Sequence, residues 1–505
     1  MANIFRPDYR VKGFSLGKPE AEAESNVSDN FSLKNLFVDE LNIADALRDK
    51  LFIIIGRKGT GKSAIGAHYI LGSHQFDKNS TKFVDIIKPS FGRSVSLRDM
   101  GLSCEDEYKY YFQWLIISKL IKLIIDSEQG QCNDEIKALK RFYDKYFSLF
   151  QINDSSNGFE MVDLSISVNL LMGKFGASFA RSNRRNDKQP QPFYLYIPGL
   201  FEVIGKVLGM PLFKGFEFTL MFDDLDVGLN LNDEEHCKKL MALIRVVKDF
   251  NNNPTLSANS RVIVFVRDDV KRKLAARATD MTKIFGSYSY TLNWYDNPKK
   301  EETTQKLRKL VNRRISQRFR NKGLNYNQQD PWQSYISENG PSADGTVFKA
   351  LLDYTFYRPR DFINLFKQLD YKEHFLPLDK DSLKELLRNY SDIAFEEIMA
   401  ELNARFTQAQ IRDIRKVLSK TARMLKDTNT DALTFEQFKG IEPTFLTDEM
   451  VEEMFSYDLI GLVDYNKDLH FHFRESFPTT EISECGICMP RIVRLYFDRS
   501  SRIRL

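Results

Sequence analysis

The residues best suited to chemistry lie in one short glycine-rich segment near the start of the chain. Gly56, Gly61, Lys62 and Ser63 have the spacing G-x-x-x-x-G-K-S/T, and an apolar run, 51–55, leads into them. Glycines permit a tight turn that directs successive backbone N–H groups at phosphate oxygens. A helix starting directly afterwards adds its positive dipole end. The pattern predicts a phosphate-binding loop in which Lys62 reaches the β- and γ-phosphates and Ser63 ligates Mg²⁺.

A second candidate feature is an apolar run, 216–222, that ends in carboxylates. Asp223, at the carboxyl edge of the predicted strand, could hold the water shell of Mg²⁺. Asp224 could polarise an attacking water or place it in line with the γ-phosphate. Asp226 is predicted to orient this turn or to bind a neighbouring subunit. The alternative is a strand that merely ends in a polar turn.

A third feature is an arginine at the end of another apolar strand, 261–266. In a parallel sheet the ligand lies at the carboxyl ends of the strands, so Arg267 could sense a γ-phosphate. An ion pair with Asp268 or Asp269 is the alternative, and the sequence leaves both open.

Two further arginines, Arg358 and Arg360, surround Pro359, which suits the first turn of a helix. Cations are locally unfavourable at the positive end of a helix, so an anionic group is expected to compensate them. A bound nucleotide is one candidate for that anion, and Asp361 is the structural alternative.

Composition sets the broad class of the protein. The chain has 505 residues, of which 42% are hydrophobic and 28% charged, and this is typical of a globular protein with two to four domains. The net charge of +4 argues neither for nor against nucleic acid. Five scattered cysteines fit a reducing compartment. The longest apolar stretch, 114–125, is interrupted by lysines, and no signal peptide is recognisable, so we expect a cytoplasmic protein without membrane contact.

Hydrophobic periodicity gives the organisation of the chain. We predict strands at 51–55, 82–87, 216–222, 261–266 and 288–294. The domain prediction is a flexible leader (1–34), an α/β core (35–300) with a helical insert (about 104–200), a helical lid (301–403) and a winged-helix-like domain (404–505). The winged-helix pattern consists of short helices followed by an alternating hairpin, with Leu469, Phe471 and Phe473 on its inner face and two solvated histidines, His470 and His472, on the other.

Three other patterns keep a structural and a functional interpretation. The arginines and lysine within 181–188 indicate a solvated loop or a nucleic-acid contact. A helix over 303–320 has one basic face, which is either solvated or directed at an acidic partner or a phosphate backbone. Cys485 and Cys488 have redox or zinc spacing, but no second Cys or His pair accompanies them, and incidental cysteines are favoured.

Taken together, these motifs resemble bacterial P-loop ATPases of the AAA+/STAND/KAP-like division, most closely soluble ATPases encoded among antiviral defence genes. The resemblance covers roughly residues 35–400. It implies a P-loop NTPase three-layer core with a parallel five-stranded sheet and a helical lid, and the cofactors ATP and Mg²⁺. By position, Asp223 and Asp224 form the Walker B element, Arg267 is sensor-1-like, and Arg358 and Arg360 are sensor-2-like. The expected nucleotide contacts of the phosphate loop are Gly56, Arg57, Lys58, Gly59, Thr60, Gly61, Lys62, Ser63 and Ala64.

The chain also departs from this family pattern. A helical insert separates Lys62 from Asp223, whereas AAA+ cores are compact there, and the insert is soluble, unlike the membrane segments of KAP proteins. Asp224 stands where the family has a glutamate. No arginine finger is evident, although Arg245, Arg272 and Arg277 are available.

The leading hypothesis is an ATP-driven switch, with Lys62, Asp224, Arg267 and Arg360 as its catalytic residues and Ser63 and Asp223 as its metal ligands. Its expected partners are further copies of the same chain and a separate effector protein. The resemblance makes antiviral defence the expected setting. The alternative is a DNA-binding ATPase of the origin-recognition type that uses its winged helix on duplex DNA. A third hypothesis is an inactive scaffold that nucleotide stabilises.

Overall fold

The computed structural model describes residues 9–26, 31–89, 103–127, 134–146, 171, 174, 193–225, 233–297, 299–338, 346–403, 405–474, 477–501, 503 and 505. Asp226 and the basic segment 181–188 lie outside these residues. The chain divides into two compact units. The first unit comprises Met1–Asn42, Lys58–Ala64 and Asn293–Leu505, and the second comprises Ile43–Arg57 and Ile65–Leu292.

The described strands, in chain order, are β1 Tyr9–Val11, β2 Ile53–Ile55, β3 Lys82–Ile87, β4 Glu217–Phe222, β5 Ser260–Val266, β6 Ser289–Thr291, β7 His374–Leu376, β8 Ala432–Leu433, β9 Gly461–Val463, β10 Leu469–His470 and β11 Gly486–Cys488. The described helices are α1 Ala21–Ser25, α2 Leu33–Leu36, α3 Ile43–Arg48, α4 Lys62–Leu71, α5 Cys104–Asp126, α6 Asp134–Tyr146, α7 Ile197–Leu208, α8 Glu234–Asn252, α9 Asp268–Arg277, α10 Thr279–Tyr288, α11 Lys306–Asn321, α12 Trp332–Tyr335, α13 Val347–Leu352, α14 Pro359–Phe366, α15 Lys380–Leu402, α16 Gln408–Asp427, α17 Phe435–Lys439, α18 Asp448–Ser456 and α19 Arg491–Phe497.

The second unit is built on a parallel sheet of five strands in the order β3-β4-β5-β2-β6. The predicted mixed α/β fold with five parallel strands is confirmed. Short β-branched and apolar runs such as Ile53–Ile55 form these strands because both faces of the sheet are covered. From β2 the chain continues to β3, and from the adjacent strand β5 it continues to β6. Strands β3 and β6 form the two opposite edges of the sheet. Because such crossovers are right-handed, these two connections leave on opposite faces of the sheet, and adjacent strands of this kind form a crevice at their carboxyl ends.

Helices cover both faces of this sheet. On one face, Val264 and Val266 belong to a core that includes residues of α5, α7, α8, α9 and α10. The alternate residue, Phe265, points to the opposite face. There Gly66 of α4 lies so close that a Cβ on it would be 3.5 Å from the Phe265 ring and 3.0 Å from Ile86 Cδ1. The predicted helical insert therefore contributes directly to the core through α5, whose Phe112 ring lies edge-on to Phe222.

Residues 9–26 are packed into the first unit, so the predicted flexible leader is wrong for them. Strand β1 pairs with β7, and the ring of Phe14, which is fully buried, lies edge-on to Phe319 at 4.9 Å. Glu24 forms a buried ion pair with Arg314 at 2.7 Å. The polar composition of 18–26 suggested a solvated segment, but its few apolar residues are buried by partners that are distant in sequence.

The basic face of α11 has a structural role in the first unit. Arg308 is 2% exposed, stacks over the Trp332 ring at 4.6 Å and pairs with Asp330 at 2.9 Å. Arg314 donates to the carbonyl of Leu16 as well as to Glu24. Arg308 and Arg314 thus form ion pairs within the first unit. The part of the basic face that is solvated, as the sequence predicts, consists of other side chains of the helix.

The C-terminal part of the first unit holds a four-stranded antiparallel sheet in the order β10-β9-β11-β8, together with helices α16 to α19. The predicted hairpin is present, but its inward face is not as expected. Leu469 is 49% exposed, whereas Phe471 and Phe473 are buried. His470 is half-buried beside Asp464 at 3.2 Å, and it is therefore held in a polar contact rather than solvated.

Candidate functional site

The glycine-rich segment joins β2 to α4 through a tightly turned backbone. Gly59 has φ +82° and Gly61 has φ +101°, values in the left-handed region that glycine adopts without the steric cost of a Cβ. Helix α4 begins at Lys62, two residues before Ala64, the start expected directly after the motif, so Lys62 and Ser63 occupy its first turn. The strand–turn–helix context that this motif requires is therefore present.

Three successive carbonyls of this loop, those of residues 58–60, accept hydrogen bonds from donors elsewhere in the first unit. Their donors are Nη1 of Arg358 at 3.1 Å, the backbone N–H of Arg360 at a long 3.5 Å, and the indole Nε1 of Trp294 at 2.9 Å. In a planar trans peptide the following N–H points opposite to the carbonyl. The N–H groups of residues 59–61 are thus directed away from these donors.

Arg358 is anchored by carboxylates. Its Nε and Nη2 lie 3.0 and 2.8 Å from Oδ1 of Asp361, which is fully buried, and Glu397 and Glu401 lie 3.8 and 3.7 Å from the guanidinium. Burial alone would lower the pKa of Arg358, but Asp361 and Glu401 outweigh it and the net shift is upward. The anion that the sequence required beside Arg358 is present in the fold as Asp361.

Arg360 is placed differently. It is half-buried on the first turn of α14, and its Nε has no hydrogen-bond partner among the described residues. A Cβ built on Gly59 would lie 3.1 Å from the Arg360 Cβ, so the loop and this turn are in close contact. Of the two sensor-2-like arginines, Arg360 is the one whose guanidinium retains donor capacity for a bound anion.

In the second unit, three candidate residues follow neighbouring parallel strands at the same edge of the sheet. The N–H of Gly56 donates to Val266 of β5 at 3.1 Å, and the N–H of Asp223 donates to Ile87 of β3 at 3.0 Å. Asp223 is buried, with 4% of its surface exposed. Arg267 directly follows β5. The carboxyl edge thus brings together the first residue of the loop, the proposed metal carboxylate and the sensor-1-like arginine.

Asp224 has an unusual backbone and a positive neighbour. Its φ of +53° is rare for a residue with a side chain, and such conformations cluster at functional sites. Its Oδ2 lies 2.8 Å from Nζ of Lys88, which follows β3 at the same edge. Sequence reasoning missed Lys88, although its position after a buried strand parallels that of Asp223.

Arg267 makes the ion pair that the sequence offered as its alternative role. Its Nε and Nη2 donate to the two oxygens of Asp269 at 3.0 and 2.9 Å, and both side chains are nearly buried. Such a planar, two-point pair fixes the guanidinium at the end of β5.

The candidate finger arginines also differ in placement. Arg245 makes a two-point pair with Asp280 at 2.8 and 3.1 Å, so it is committed within the second unit. Arg272 is half-buried and Arg277 is exposed.

The remaining candidate residues are those that could bind a metal ion or act in redox chemistry. Within the described ranges, no group of three or more His, Cys, Asp or Glu residues could hold a metal ion. This does not argue against Mg²⁺, which usually keeps several waters and takes one or two protein ligands.

Burial raises the pKa of the Cys488 thiol to about 12, which fits an inert structural cysteine. Across the same described ranges, no helix is long and apolar enough to cross a membrane.

Comparison with known proteins identifies one part of the chain. Residues 305–399 match the profile of a family described as the FunZ-associated C-terminal helical domain. This range extends from α11 into α15 and contains Arg358, Arg360 and Asp361. Neither the curated proteins nor the solved structures gave a match to the chain. The match covers a minority of the chain and includes two of the three donors to the loop carbonyls, Arg358 and Arg360, whereas Trp294 precedes it.

Proposed function

We propose that this chain is a Mg²⁺-dependent ATPase that acts as a molecular switch. The observation that carries the proposal is the loop in which three successive carbonyls are held outward and the following N–H groups are directed away from those donors. A backbone nest at the start of a helix favours the oxygens of phosphates.

Residue roles follow from chemistry and position. Lys62, in the first turn of α4, pairs with the β- and γ-phosphates, and Ser63 ligates Mg²⁺. Asp223 holds the water shell of the metal ion, and Asp224 places or polarises the attacking water. Arg360 binds the triphosphate, and Arg267, fixed by Asp269, responds to the γ-phosphate. When bound, Mg²⁺ supplies neutralisation of the charge that develops on the phosphates.

The sheet order supports this assignment. Strands β2 and β5 are adjacent and their connections run in opposite directions along the sheet, and ligands of open α/β sheets bind at such a position. The family resemblance of the motifs adds a P-loop NTPase identity, and we extend it to an antiviral defence setting with a separate effector protein.

For the partner, charge favours a protein over DNA. Helix α18 has three exposed carboxylates, Asp448, Glu449 and Glu452, of which Asp448 pairs with Lys439 at 2.8 Å. A phosphate backbone would be repelled by this surface. Two arginines of the C-terminal segment are already paired, Arg494 with Asp431 and Arg499 with Asp392. We therefore assign the winged-helix-like region to protein docking or to assembly of further copies of this chain.

Phosphate release and particle mass test the proposal together. We expect Mg²⁺-dependent release of phosphate from ATP, and a change in mass between the ATP-bound and ADP-bound protein because closure depends on nucleotide. The Lys62→Ala variant should show neither. The matched control is Lys82→Ala, which removes an exposed lysine at the amino end of β3 and should behave as the wild type. Binding without any turnover would leave a nucleotide-stabilised scaffold in place of a switch.

A further inference from the structure

The conformation of the glycine-rich loop is supported in part by residues outside it. A short loop with glycines at φ +82° and +101° has a large conformational freedom to lose, because glycine restricts the backbone least. Within the loop, the carbonyls of Lys58 and Thr60 bond to side chains more than 200 residues away in sequence. Contacts from outside the loop therefore help to hold the conformation that directs its N–H groups.

We propose that Arg358 and Trp294 are positioning residues, which impose the phosphate-binding conformation of the loop by holding its carbonyls. This inference rests on the proposed function, since it concerns the affinity of the same loop for nucleotide. It replaces the sensor-like role expected for Arg358, because the guanidinium is committed to Asp361 and to the backbone of the loop.

The geometry of Arg358 suits this role. One edge of its planar guanidinium is occupied by Asp361, and Nη1 is left to reach the carbonyl of Lys58. Asp361 also accepts from the backbone N–H groups of Phe356 and Arg358, so the carboxylate is held from three directions. An arginine fixed in this way loses little further entropy when it bonds to the loop.

Trp294 holds the loop at a second point. Its indole is 7% exposed, and its Nε1 donates to the carbonyl of Thr60, which is 3% exposed. A buried carbonyl without this donor would be costly, and the peptide would be expected to turn towards water. Because the N–H of Gly61 belongs to the same peptide, it would turn as well.

Through Arg358, the affinity of the loop for nucleotide depends on the helical domain over 305–399. Glu397 and Glu401, which surround the guanidinium, lie on α15. A shift of α15 would change how firmly Arg358 is held and therefore how well the loop is shaped. This gives the domain matched by the FunZ-associated family a direct means of regulating the site.

Two conservative variants test the inference by titration with Mg²⁺-ATP. Arg358→Lys keeps a cation for Asp361 but cannot form a fork to the carboxylate and reach the loop at once. We expect its dissociation constant to rise at least tenfold. Its thermal midpoint should also fall, because a buried two-point pair is lost, and the control below separates that loss of stability from the loss of affinity. Trp294→Phe keeps the apolar ring but lacks the donor, and should weaken binding about threefold to tenfold.

Arg314→Gln is the matched control. Arg314 is also a buried arginine that donates to a buried carboxylate, Glu24, and to a backbone carbonyl, that of Leu16, but it does not contact the loop. This variant should lower the thermal midpoint and leave affinity within twofold of the wild type.

The possible outcomes separate the two proposals. Wild-type protein that fails to bind Mg²⁺-ATP overturns the proposed function and this inference with it. A wild type that binds, with both test variants binding equally well, overturns the inference alone. Should Arg358→Lys not fold, Trp294→Phe decides the question. Hydrogen exchange over 51–65 without nucleotide gives a second readout, and faster exchange in both test variants than in Arg314→Gln is expected.

Discussion

Nζ of Lys88 lies 2.8 Å from Oδ2 of Asp224, so the carboxylate proposed to handle the attacking water is paired with a cation from the end of the neighbouring strand. Both side chains are more than a third exposed, and exposed pairs of this kind contribute little to stability. The pair therefore orients Asp224 more than it stabilises the fold.

The Asp224→Asn variant tests the role of that carboxylate. We expect Mg²⁺-ATP to bind as in the wild type, because the loop is intact. Phosphate release should slow by about 10²- to 10⁴-fold, the usual contribution of general base catalysis. Lys88→Met serves as the companion variant, since it removes the neighbouring cation and leaves the carboxylate. Unchanged turnover in Asp224→Asn would reject the assigned role.

The Gly59→Ala variant tests the shape of the loop. Its Cβ would meet the Arg360 Cβ at 3.1 Å, and φ +82° would cost about 1–2 kcal/mol for a residue with a side chain. Nucleotide affinity should fall with stability. Gly215→Ala is the control, because Gly215 has φ +86° but open space around its Cβ and lies far along the chain from the loop. It should lose a similar stability without affecting affinity, and equal affinity in both variants would contradict the account.

The Phe14→Ala variant tests whether residues 9–26 belong to the folded first unit. The ring is fully buried against Phe319, and truncating such a ring typically costs about 3–5 kcal/mol of the free energy of unfolding. The control is Phe375→Ala, which removes a ring that is 67% exposed. Denaturant unfolding measures both. If Phe14→Ala lowers the free energy of unfolding by less than about 0.5 kcal/mol, residues 9–26 are not part of the folded unit and the predicted flexible leader is correct.

The pH dependence of stability should carry a contribution from Cys488. Burial raises the pKa of its thiol to about 12, whereas an unfolded cysteine has a pKa of about 8.5. The unfolded chain therefore releases this proton first, and stability should fall as pH rises from about 9 towards 12. Cys488→Ala should remove that part of the slope, although its cavity lowers stability at every pH. Identical slopes in the wild type and the variant would refute this assignment.

Gel-shift titrations test the choice of a protein partner over DNA. Because α18 presents carboxylates and two C-terminal arginines are paired, we expect no complex with duplex DNA at moderate salt, with or without ATP. A complex whose affinity falls steeply with rising salt would favour the origin-recognition alternative.

Local pattern was sufficient for some features and not for others. The parallel strands were predictable because runs such as Ile53–Ile55 are buried on both faces and end at glycine or acid. The order of the strands was not, since it depends on pairing between distant segments. Arg358 could be read only as a choice between nucleotide and Asp361, and the fold supplies the second. Trp294 had no local signal, because its donor role depends on a carbonyl 234 residues earlier.

For residues 9–26 the sequence predicted a flexible segment where the structure has a packed one. Composition around 18–26 indicated a solvated segment, yet Glu24 is buried because Arg314 pairs with it. A charge on a polar segment cannot reveal a partner 290 residues away. The same long-range pairing explains why the basic face of α11 could not be recognised as structural.

The most direct test of the central claim is a calorimetric titration of Mg²⁺-ATP into the wild type, Lys62→Ala and Lys82→Ala. We expect saturable binding of one nucleotide per chain in the wild type and in Lys82→Ala, and no binding in Lys62→Ala. Binding that persists in Lys62→Ala, or a wild type that binds no nucleotide, would contradict it.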